Sequence, residues 1–181
     1  MSDKNSVNKE HLYFMNSALQ QARKALESDE VPIGAVVVDE SGNIIAKAYN
    51  MMHGKKCQTE HAEVRAIKKA CKKIGDWRLD GCRIYVTLEP CVMCYGLIKL
   101  CRISTLVYGA ESPLFGYRLD KDVDHAVYKN DTMEIVSGVL KNEAIDILRV
   151  FFKKKRKKGE GRKEQHIKVC KGTGKNKKKS S

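Results

Sequence analysis

The chain has 181 residues, of which 42% are apolar and 31% are charged, and its formal net charge is +13. This length favours one domain, and the apolar content is high enough to form a core. The composition excludes collagen-like chains and wholesale disorder. A membrane-spanning helix is also excluded, because the sequence contains no run of about 18 apolar residues.

The positive charge is concentrated towards the C-terminus. Residues 153–181 contain 14 Lys and Arg and 2 Glu, a net charge of +12, whereas the preceding 152 residues carry +1. We therefore predict a near-neutral globular domain over residues 1–158. A basic tail over residues 159–181 is rich in Gly, Lys and Ser and is predicted to be disordered. The polar N-terminus has no apolar segment of the signal-peptide type, which favours a cytoplasmic protein.

Hydrophobic periodicity predicts a helix followed by a β-hairpin in the first third of the chain. Apolar residues recur every three to four positions over residues 9–28, which is typical of one face of an amphipathic helix. Two β-branched runs, Ile33–Val38 and Ile44–Tyr49, flank a turn-forming cluster at residues 39–43 and predict the two hairpin strands. Residues 50–59 are predicted to form a loop.

Strands and helices alternate in the rest of the chain. The predicted elements are a helix over residues 64–75, a strand at Arg83–Leu88, a helix from Pro90 to Cys101, a strand at Ser104–Gly109, a loop over residues 110–131 with room for a short helix, a strand at Met133–Val136 and a helix from Val139 to Phe151. This alternation indicates an α/β fold with helices on both faces of a sheet. The antiparallel first hairpin makes the predicted sheet mixed.

The cysteines point to a metal rather than to disulfides. Seven are present, and an odd number in a chain without a signal peptide argues against a disulfide framework. Only Cys91 and Cys94 have the spacing of metal ligands. We interpret the other five as structural or exposed thiols.

Two short motifs at the starts of predicted helices carry residues that can bind a metal. His61 and Glu63 belong to the first motif, and Cys91 and Cys94 belong to the second. Two cysteines three positions apart at a helix start share a face, where the helix dipole favours thiolates. Together with His61 they give three ligands, and three ligands predict a catalytic zinc with one position kept for water. Glu63 is predicted to shuttle a proton beside that water.

A structural zinc and the absence of any metal are the alternatives for this site. A lone Cys-x-x-Cys is often half of a structural zinc knuckle, and a lone His-x-Glu is common by chance. The sequence contains no second Cys-x-x-Cys to complete a knuckle. The two motifs together, 30 residues apart and each at a helix start, favour the catalytic zinc.

Further segments match one enzyme family. They are Val31–Ala35, Asn50, Val86–Cys94, Val107–Ala110, Gly138–Leu140, and Phe151–Phe152 followed by basic residues. The signature His-x-Glu…Pro-Cys-x-x-Cys is characteristic of zinc-dependent nucleobase deaminases. Over about residues 9–156, the chain therefore resembles the cytidine deaminase-like superfamily, and within it the bacterial tRNA-specific adenosine deaminases.

The resemblance implies a fold, a cofactor and a reaction. The fold is a three-layer α/β/α sandwich with a five-stranded mixed sheet, usually in a homodimer. His61, Cys91 and Cys94 would hold one zinc ion per chain, and Glu63 would transfer protons. Asn50 matches the family asparagine that hydrogen-bonds the target base. The family reaction is hydrolytic deamination, by a zinc-activated water, of the wobble adenosine at position 34 of a tRNA anticodon stem-loop to inosine.

Two segments depart from the family pattern. Where the family usually has Asp-Pro-Thr-Ala before the histidine, this chain has Cys57–Glu60, whose cysteine and glutamate we interpret as exposed and inert. Residues 111–120 replace a glycine-rich stretch and contain Phe115 and Tyr117. These rings can stack on the bases of an RNA loop or pack locally. The second departure therefore bears on the choice of substrate and not on the chemistry.

Two other functions stay open from the sequence. A deaminase of free bases or nucleotides, of the cytosine or guanine type, would use the same metal and proton-transfer residues. An RNA-binding subunit with a structural zinc is the second, and the presence of Glu63 disfavours it. The basic run at residues 153–158 and the tail at residues 159–181 can neutralise phosphates. This charge favours tRNA over a small molecule as the partner.

Overall fold

The computed structural model describes the backbone of residues 4–119 and 132–172, and the side chains of residues 9–119 and 132–157. In chain order the elements are α1 (Lys4–Glu27), β1 (Gly34–Val38), β2 (Ile44–Tyr49), α2 (Met52–Lys55), α3 (Ala62–Ile74), β3 (Arg83–Leu88), α4 (Val92–Leu100), β4 (Thr105–Ala110), a 3₁₀ turn (Tyr117–Leu119), β5 (Glu134–Ser137) and α5 (Lys141–Gly172). The predicted alternation of strands and helices is confirmed.

The five strands form one mixed sheet. Their order across the sheet is β2-β1-β3-β4-β5. Strand β1 pairs antiparallel with β2 and with β3, whereas the β3–β4 and β4–β5 pairs are parallel. The predicted antiparallel first hairpin is therefore confirmed. Because β3 and β4 run in the same direction, their carboxyl ends lie at one edge of the sheet, which is where α4 begins.

Each face of the sheet packs against different helices. Val37 of β1 belongs to the core cluster that includes residues of α3 and α4, whereas Val36 packs with Phe14 of α1. On the α1 side, Leu19 also shares a cluster with Ala144 in the first turn of α5. All residues of β1 are buried, as expected for a strand that is covered on both faces. These contacts confirm the three-layer α/β/α architecture.

Gly34, the first residue of β1, lies directly against the backbone of α1. A Cβ atom here would overlap the carbonyl oxygen of Ala18 and would lie 2.5 Å from the backbone nitrogen of Ala22. We expect Gly34→Ala to lower the free energy of unfolding by about 3 kcal/mol, at the upper end of the usual cost of overpacking, because backbone atoms cannot rotate away. Urea denaturation of the variant and the wild type measures this difference.

Gly96→Ala in α4 is the matched control for this variant. Nothing lies within 4 Å of a Cβ atom built at Gly96. Because alanine is the better helix former, this change should raise the free energy of unfolding by roughly 0.5–1 kcal/mol. Equal stability of Gly34→Ala and the wild type would mean that α1 can move off the sheet without cost, contrary to the packing described.

The structure refines the predicted boundaries in two places. Helix α1 begins at Lys4 and not near residue 9, and the short α2 lies inside the loop predicted at residues 50–59. The 3₁₀ turn falls in the loop predicted at residues 110–131, of which residues 120–131 lie outside the described part. No helix in the described part of the chain is long and apolar enough to cross a bilayer.

The C-terminal region is helical over a longer stretch than the sequence predicts. Helix α5 extends to Gly172, whereas we predicted disorder from residue 159. The Lys, Arg, Glu and Gln residues of this stretch are good helix formers, and they continue a helix that begins in the apolar pattern. Contacts divide the chain into two compact units, Met1–Leu148 and Arg149–Ser181. The predicted domain end at residue 158 thus falls within the second unit.

Candidate active site

The structure places His61 and Cys91 at equivalent positions, each at the start of a helix. His61 is the N-cap residue of α3 and Cys91 is the N-cap residue of α4, both with an extended backbone. Neither side chain makes a cap hydrogen bond. Cys94 lies in the first turn of α4 and is fully buried. The imidazole and the Cys91 thiol are therefore directed to contacts other than their own helix ends.

The three predicted metal ligands lie together in one cluster. Nδ1 of His61 is 3.7 Å from Sγ of Cys91 and 3.4 Å from Sγ of Cys94. In a tetrahedral zinc site with bonds of ~2.0–2.3 Å, pairs of such ligand atoms are roughly 3.5–3.8 Å apart. The spacing and the nitrogen–sulfur donor set fit a zinc ion. Among the described residues, no other group of three His, Cys, Asp or Glu side chains could hold a metal ion.

The two thiols of the cluster affect each other's pKa in opposite directions. A hydrogen bond from Cys94 lowers the pKa of the Cys91 thiol to about 4, and the contact with His61 acts in the same direction. The same pairing, together with burial, raises the pKa of the Cys94 thiol. A thiol that binds a metal ion loses its proton. A cation bound to both sulfur atoms would therefore have to displace the proton of the Cys94 thiol.

The carboxyl group of Glu63 is buried next to this cluster. Only 3% of the residue is exposed, and Oε2 has no hydrogen-bond partner. Burial raises the pKa of this carboxyl above its ordinary value, although the positive charge of His61 opposes the shift. A buried polar atom without a partner is rare in proteins. Such an atom, beside three groups that could hold a metal ion, can accept a hydrogen bond from a substrate or from water.

Asn50 is buried and held by Glu30, a residue for which the sequence pattern predicts no role. Nδ2 of Asn50 donates to Oε2 of Glu30 at 3.3 Å, and the backbone N–H groups of His53 and Gly54 donate to the same carboxylate at 3.2 and 2.6 Å. The backbone N–H of Asn50 donates to the carbonyl of Ile33 at 3.0 Å. Both the backbone and the side chain of Asn50 are therefore fixed.

Glu89 is a further buried carboxylate, two residues before Cys91. Its Oε1 accepts from Nε of Arg118 at 2.9 Å, and its Oε2 accepts from the backbone N–H of Ser112 at 3.0 Å. Burial acts to raise the pKa of Glu89, but the hydrogen bonds from Arg118 and Ser112 outweigh burial and lower it. Glu89 lies within the Val86–Cys94 motif, and the sequence pattern predicts no role for it.

The segments that depart from the family pattern make local contacts. Glu60 is only 21% exposed at its side chain and pairs with an arginine of α3 at 3.2 Å, so it is not freely exposed as predicted. Cys57 is exposed, as predicted. Tyr117 stacks on Tyr95, with ring centroids 3.9 Å apart and planes at 3°. Phe115, in contrast, is 74% exposed. Of the two rings, Phe115 is the one open to a base.

Comparison with known proteins identifies the family of this chain. Residues 9–156 match the family model of the MafB19-like deaminases. The chain is 44% identical over 147 residues to the tRNA-specific adenosine deaminase of Bacillus subtilis, and the match covers 80% of this chain and 90% of that protein. The chain belongs to the tRNA-specific adenosine deaminase family. The protein of the same name from Agrobacterium fabrum is 41% identical over 154 residues, covering 81% of this deaminase and 97% of the relative.

Solved structures support this family assignment. A structure from work on A-to-I editing by tRNA:A34 deaminases has a TM-score of 0.66 and 40% identity, covering 75% of this chain and 99% of that one. The guanine deaminase of Nitrosomonas europaea has a TM-score of 0.65 and 26% identity, covering 77% and 83%. The backbones are thus equally similar to both. Sequence identity separates them, in favour of the tRNA deaminase.

Proposed function

We propose that the protein converts the wobble adenosine, position 34, of a tRNA anticodon stem-loop to inosine, with release of ammonia. The observation that carries this proposal is the His61, Cys91 and Cys94 cluster with the buried Glu63 carboxyl beside it. The identity of 41–44% to tRNA-specific adenosine deaminases supports the choice of substrate.

The cluster would hold one zinc ion per chain, through Nδ1 of His61 and the sulfur atoms of Cys91 and Cys94. Zinc in a site with three protein ligands acts as a Lewis acid and lowers the pKa of water towards neutrality. The sulfur atoms lie at the start of α4, where the helix dipole and free N–H groups favour thiolates. The fold therefore supplies part of the stabilisation that negatively charged ligands need.

Glu63 would move both protons of the reaction. It accepts a proton from the attacking water and delivers it to N1 of adenine as the water oxygen bonds to C6. It then takes the remaining proton from the oxygen now bonded to C6 and passes it to the 6-amino group; the C6–N bond breaks, the C6 carbonyl forms, and ammonia leaves. Adenosine and water are thereby converted to inosine and ammonia. One carboxyl group is sufficient because the two transfers are successive.

Asn50 would bind the target base. Its side-chain amide can donate and accept hydrogen bonds, which suits the edge of a purine. The contact with Glu30 fixes the amide before the base arrives, so little side-chain freedom is lost on binding. A buried site of this kind needs a base that is splayed out of its loop. An unpaired anticodon nucleotide meets this requirement more readily than a base in a duplex.

The family resemblance also supports a homodimer that acts on tRNA in the cytoplasm. The basic run at residues 153–158 would contact the RNA backbone, because each Lys or Arg near a phosphate releases condensed counterions. The residues 159–181 carry a net charge of +6 and would extend this contact.

Removal of residues 159–181 tests the contribution of the tail. We expect weaker binding of the stem-loop and a flatter salt dependence, since each lost phosphate contact reduces the slope of log Kd against log salt concentration by roughly 0.7–0.9. Fluorescence anisotropy at several salt concentrations measures both values. Removal of residues 173–181 alone separates the contribution of the terminal lysines. An unchanged slope would mean that the tail does not contact phosphates.

A substrate panel tests the proposed function against its alternative. The similarity to guanine deaminases favours a free base as the second candidate. Zinc-loaded protein is offered a stem-loop with adenosine at the wobble position and, separately, free adenine, cytosine and guanine. We expect inosine in the stem-loop and no turnover of the free bases. Turnover of a free base with an unreacted stem-loop would overturn tRNA as the substrate and leave the metal and proton-transfer roles intact.

A further inference from the structure

The Glu89 carboxylate is the centre of a polar anchor for residues 111–119, the segment that follows β4. Its oxygens accept from opposite ends of this segment, Oε2 from the N–H of Ser112 at 3.0 Å and Oε1 from the N–H of Arg118 at 3.3 Å. The guanidinium of Arg118 adds a charged contact to Oε1 at 2.9 Å. The Glu89 side chain is only 2% exposed. The carboxylate therefore depends on these donors and not on bulk water.

Gly116 fits closely against the same carboxylate. A Cβ atom at this position would lie 2.5 Å from Cδ and from Oε2 of Glu89. Gly116 is not among the glycines with positive φ. Close approach to the carboxylate, and not an unusual backbone conformation, is therefore what requires a glycine here.

The anchor fixes the segment relative to the metal ligands. The backbone N–H of Tyr117 donates to the carbonyl of Pro90 at 2.9 Å. Pro90 lies between Glu89 and Cys91, so the residues that hold the segment directly precede a metal ligand. Any movement of the segment away from Glu89 is therefore a movement away from the start of α4.

The tip of this segment is exposed, and a cavity lies beside its anchor. A cavity of about 390 Å³ borders the anchor and is lined by Glu89, Arg118 and Lys141. At the tip of the segment, Leu114 is 75% exposed and Phe115 is 74% exposed. Exposed aromatic rings on a fixed backbone are suited to stacking on unpaired bases. The polar contacts of Glu89 thus hold both ends of this exposed tip, and the stacking of Tyr117 on Tyr95 adds to them.

We propose that Glu89 is a positioning residue, which holds residues 111–119 so that their exposed apolar tip meets unpaired nucleotides beside the target base. This inference rests on the proposed function. Glu89 acts through Ser112, Gly116 and Arg118 and does not touch the reacting atoms. Loss of the anchor weakens substrate binding and leaves metal binding and proton transfer unchanged.

The test is Glu89→Gln in the full-length, zinc-loaded protein. Glutamine has nearly the same shape as glutamate but only one acceptor oxygen. Its amide NH₂ would therefore face the N–H of Ser112 or of Arg118, and two donors cannot form a hydrogen bond with each other. We expect KM for the stem-loop to rise about 10-fold with kcat within about 2-fold of the wild type. The zinc content should stay at one ion per chain. Gly116→Ala, which intrudes on the carboxylate from the segment side, should give the same split between KM and kcat.

Glu111→Gln is the matched control. Glu111 lies in the same segment and contacts Arg118 at 3.3 Å, but its side chain is 54% exposed. Its replacement removes one negative charge near the same guanidinium and leaves the anchor intact. We expect KM and kcat of the wild type.

Hydrogen exchange gives a readout that needs no substrate. The amides of Ser112 and Arg118 should exchange faster in Glu89→Gln than in the wild type, because both donate to this carboxylate. Unchanged exchange and unchanged KM would overturn the proposal, as would a loss of zinc or of kcat at constant KM. An equal effect of Glu111→Gln would also overturn it, by assigning the effect to net charge.

If the proposed function is wrong, these experiments give a different set of results. If the wild type does not deaminate the stem-loop, the choice of RNA is wrong. The exchange measurement still decides whether Glu89 anchors the segment. A free base has no neighbouring nucleotides, so its KM should be the same in Glu89→Gln and in the wild type, and unchanged exchange at Ser112 and Arg118 is then the result that overturns the positioning role.

Discussion

Replacement of Glu63 by glutamine should lower kcat by roughly 10²–10⁴-fold, the usual contribution of a general acid–base group. The amide can neither take a proton from water nor return one to N1 or to the leaving amine. Glutamine has nearly the same volume, which matters because only 3% of Glu63 is exposed. The three metal-ligating side chains are untouched, so zinc should remain at one ion per chain. Single-turnover kinetics and elemental analysis measure the two quantities.

Glu60→Gln is the control for this loss of charge. Glu60 lies three residues earlier, is partly exposed and pairs with Arg65 at 3.2 Å. We expect its variant to keep the wild-type rate. A wild-type rate in Glu63→Gln would exclude Glu63 as the proton carrier. A loss of zinc in the same variant would instead assign Glu63 a role in forming the metal cluster.

Replacement of Cys91 by alanine should abolish stoichiometric zinc binding and reduce activity to background. This change removes one of three donor atoms and one of two thiolates, and leaves the fourth position still open to water. Removal of an outer-shell partner alone typically costs about 10–100-fold in metal affinity, so loss of a direct ligand should cost more. Competition with a chromophoric chelator measures the affinity.

Cys57→Ala is the control that distinguishes the loss of a metal ligand from the loss of any one thiol. Cys57 is exposed and is not part of the cluster, so its variant should bind zinc and react as the wild type does. If Cys91→Ala retained one tightly bound zinc and full activity, the ligand set would be wrong. If Cys57→Ala lost zinc, the metal would lie elsewhere in the protein.

The sequence predicts those parts of the site that depend on residues close to one another in the chain. His61 and Glu63 are two residues apart, and Cys91 and Cys94 are three apart. Each pair begins a helix whose apolar periodicity is visible in the sequence. The alternation of strands and helices, with a hairpin first, was sufficient to predict a mixed sheet between helical layers. Short-range spacing and periodicity therefore predicted both the grouping of His61, Cys91 and Cys94 and the layer architecture.

The parts that the sequence did not predict depend on contacts between distant residues. Glu30 reaches Asn50 across 20 positions, and Glu89 reaches Arg118 across 29. A single acidic residue in a connection looks like a solvated charge until the fold shows that it is buried. The extent of α5 was also missed, because a lysine-rich stretch is compatible both with helix and with disorder. Composition alone does not distinguish these two states.

The product and its position in the RNA test the central claim most directly. Full-length tRNA with unmodified adenosine at position 34 is incubated with the zinc-loaded protein and with Glu63→Gln, and inosine is then mapped by sequencing. We expect inosine at position 34 with the wild-type protein, at no other adenosine, and none with the variant. Inosine spread over other positions, or an unreacted tRNA under conditions where guanine is deaminated, would contradict the proposed function.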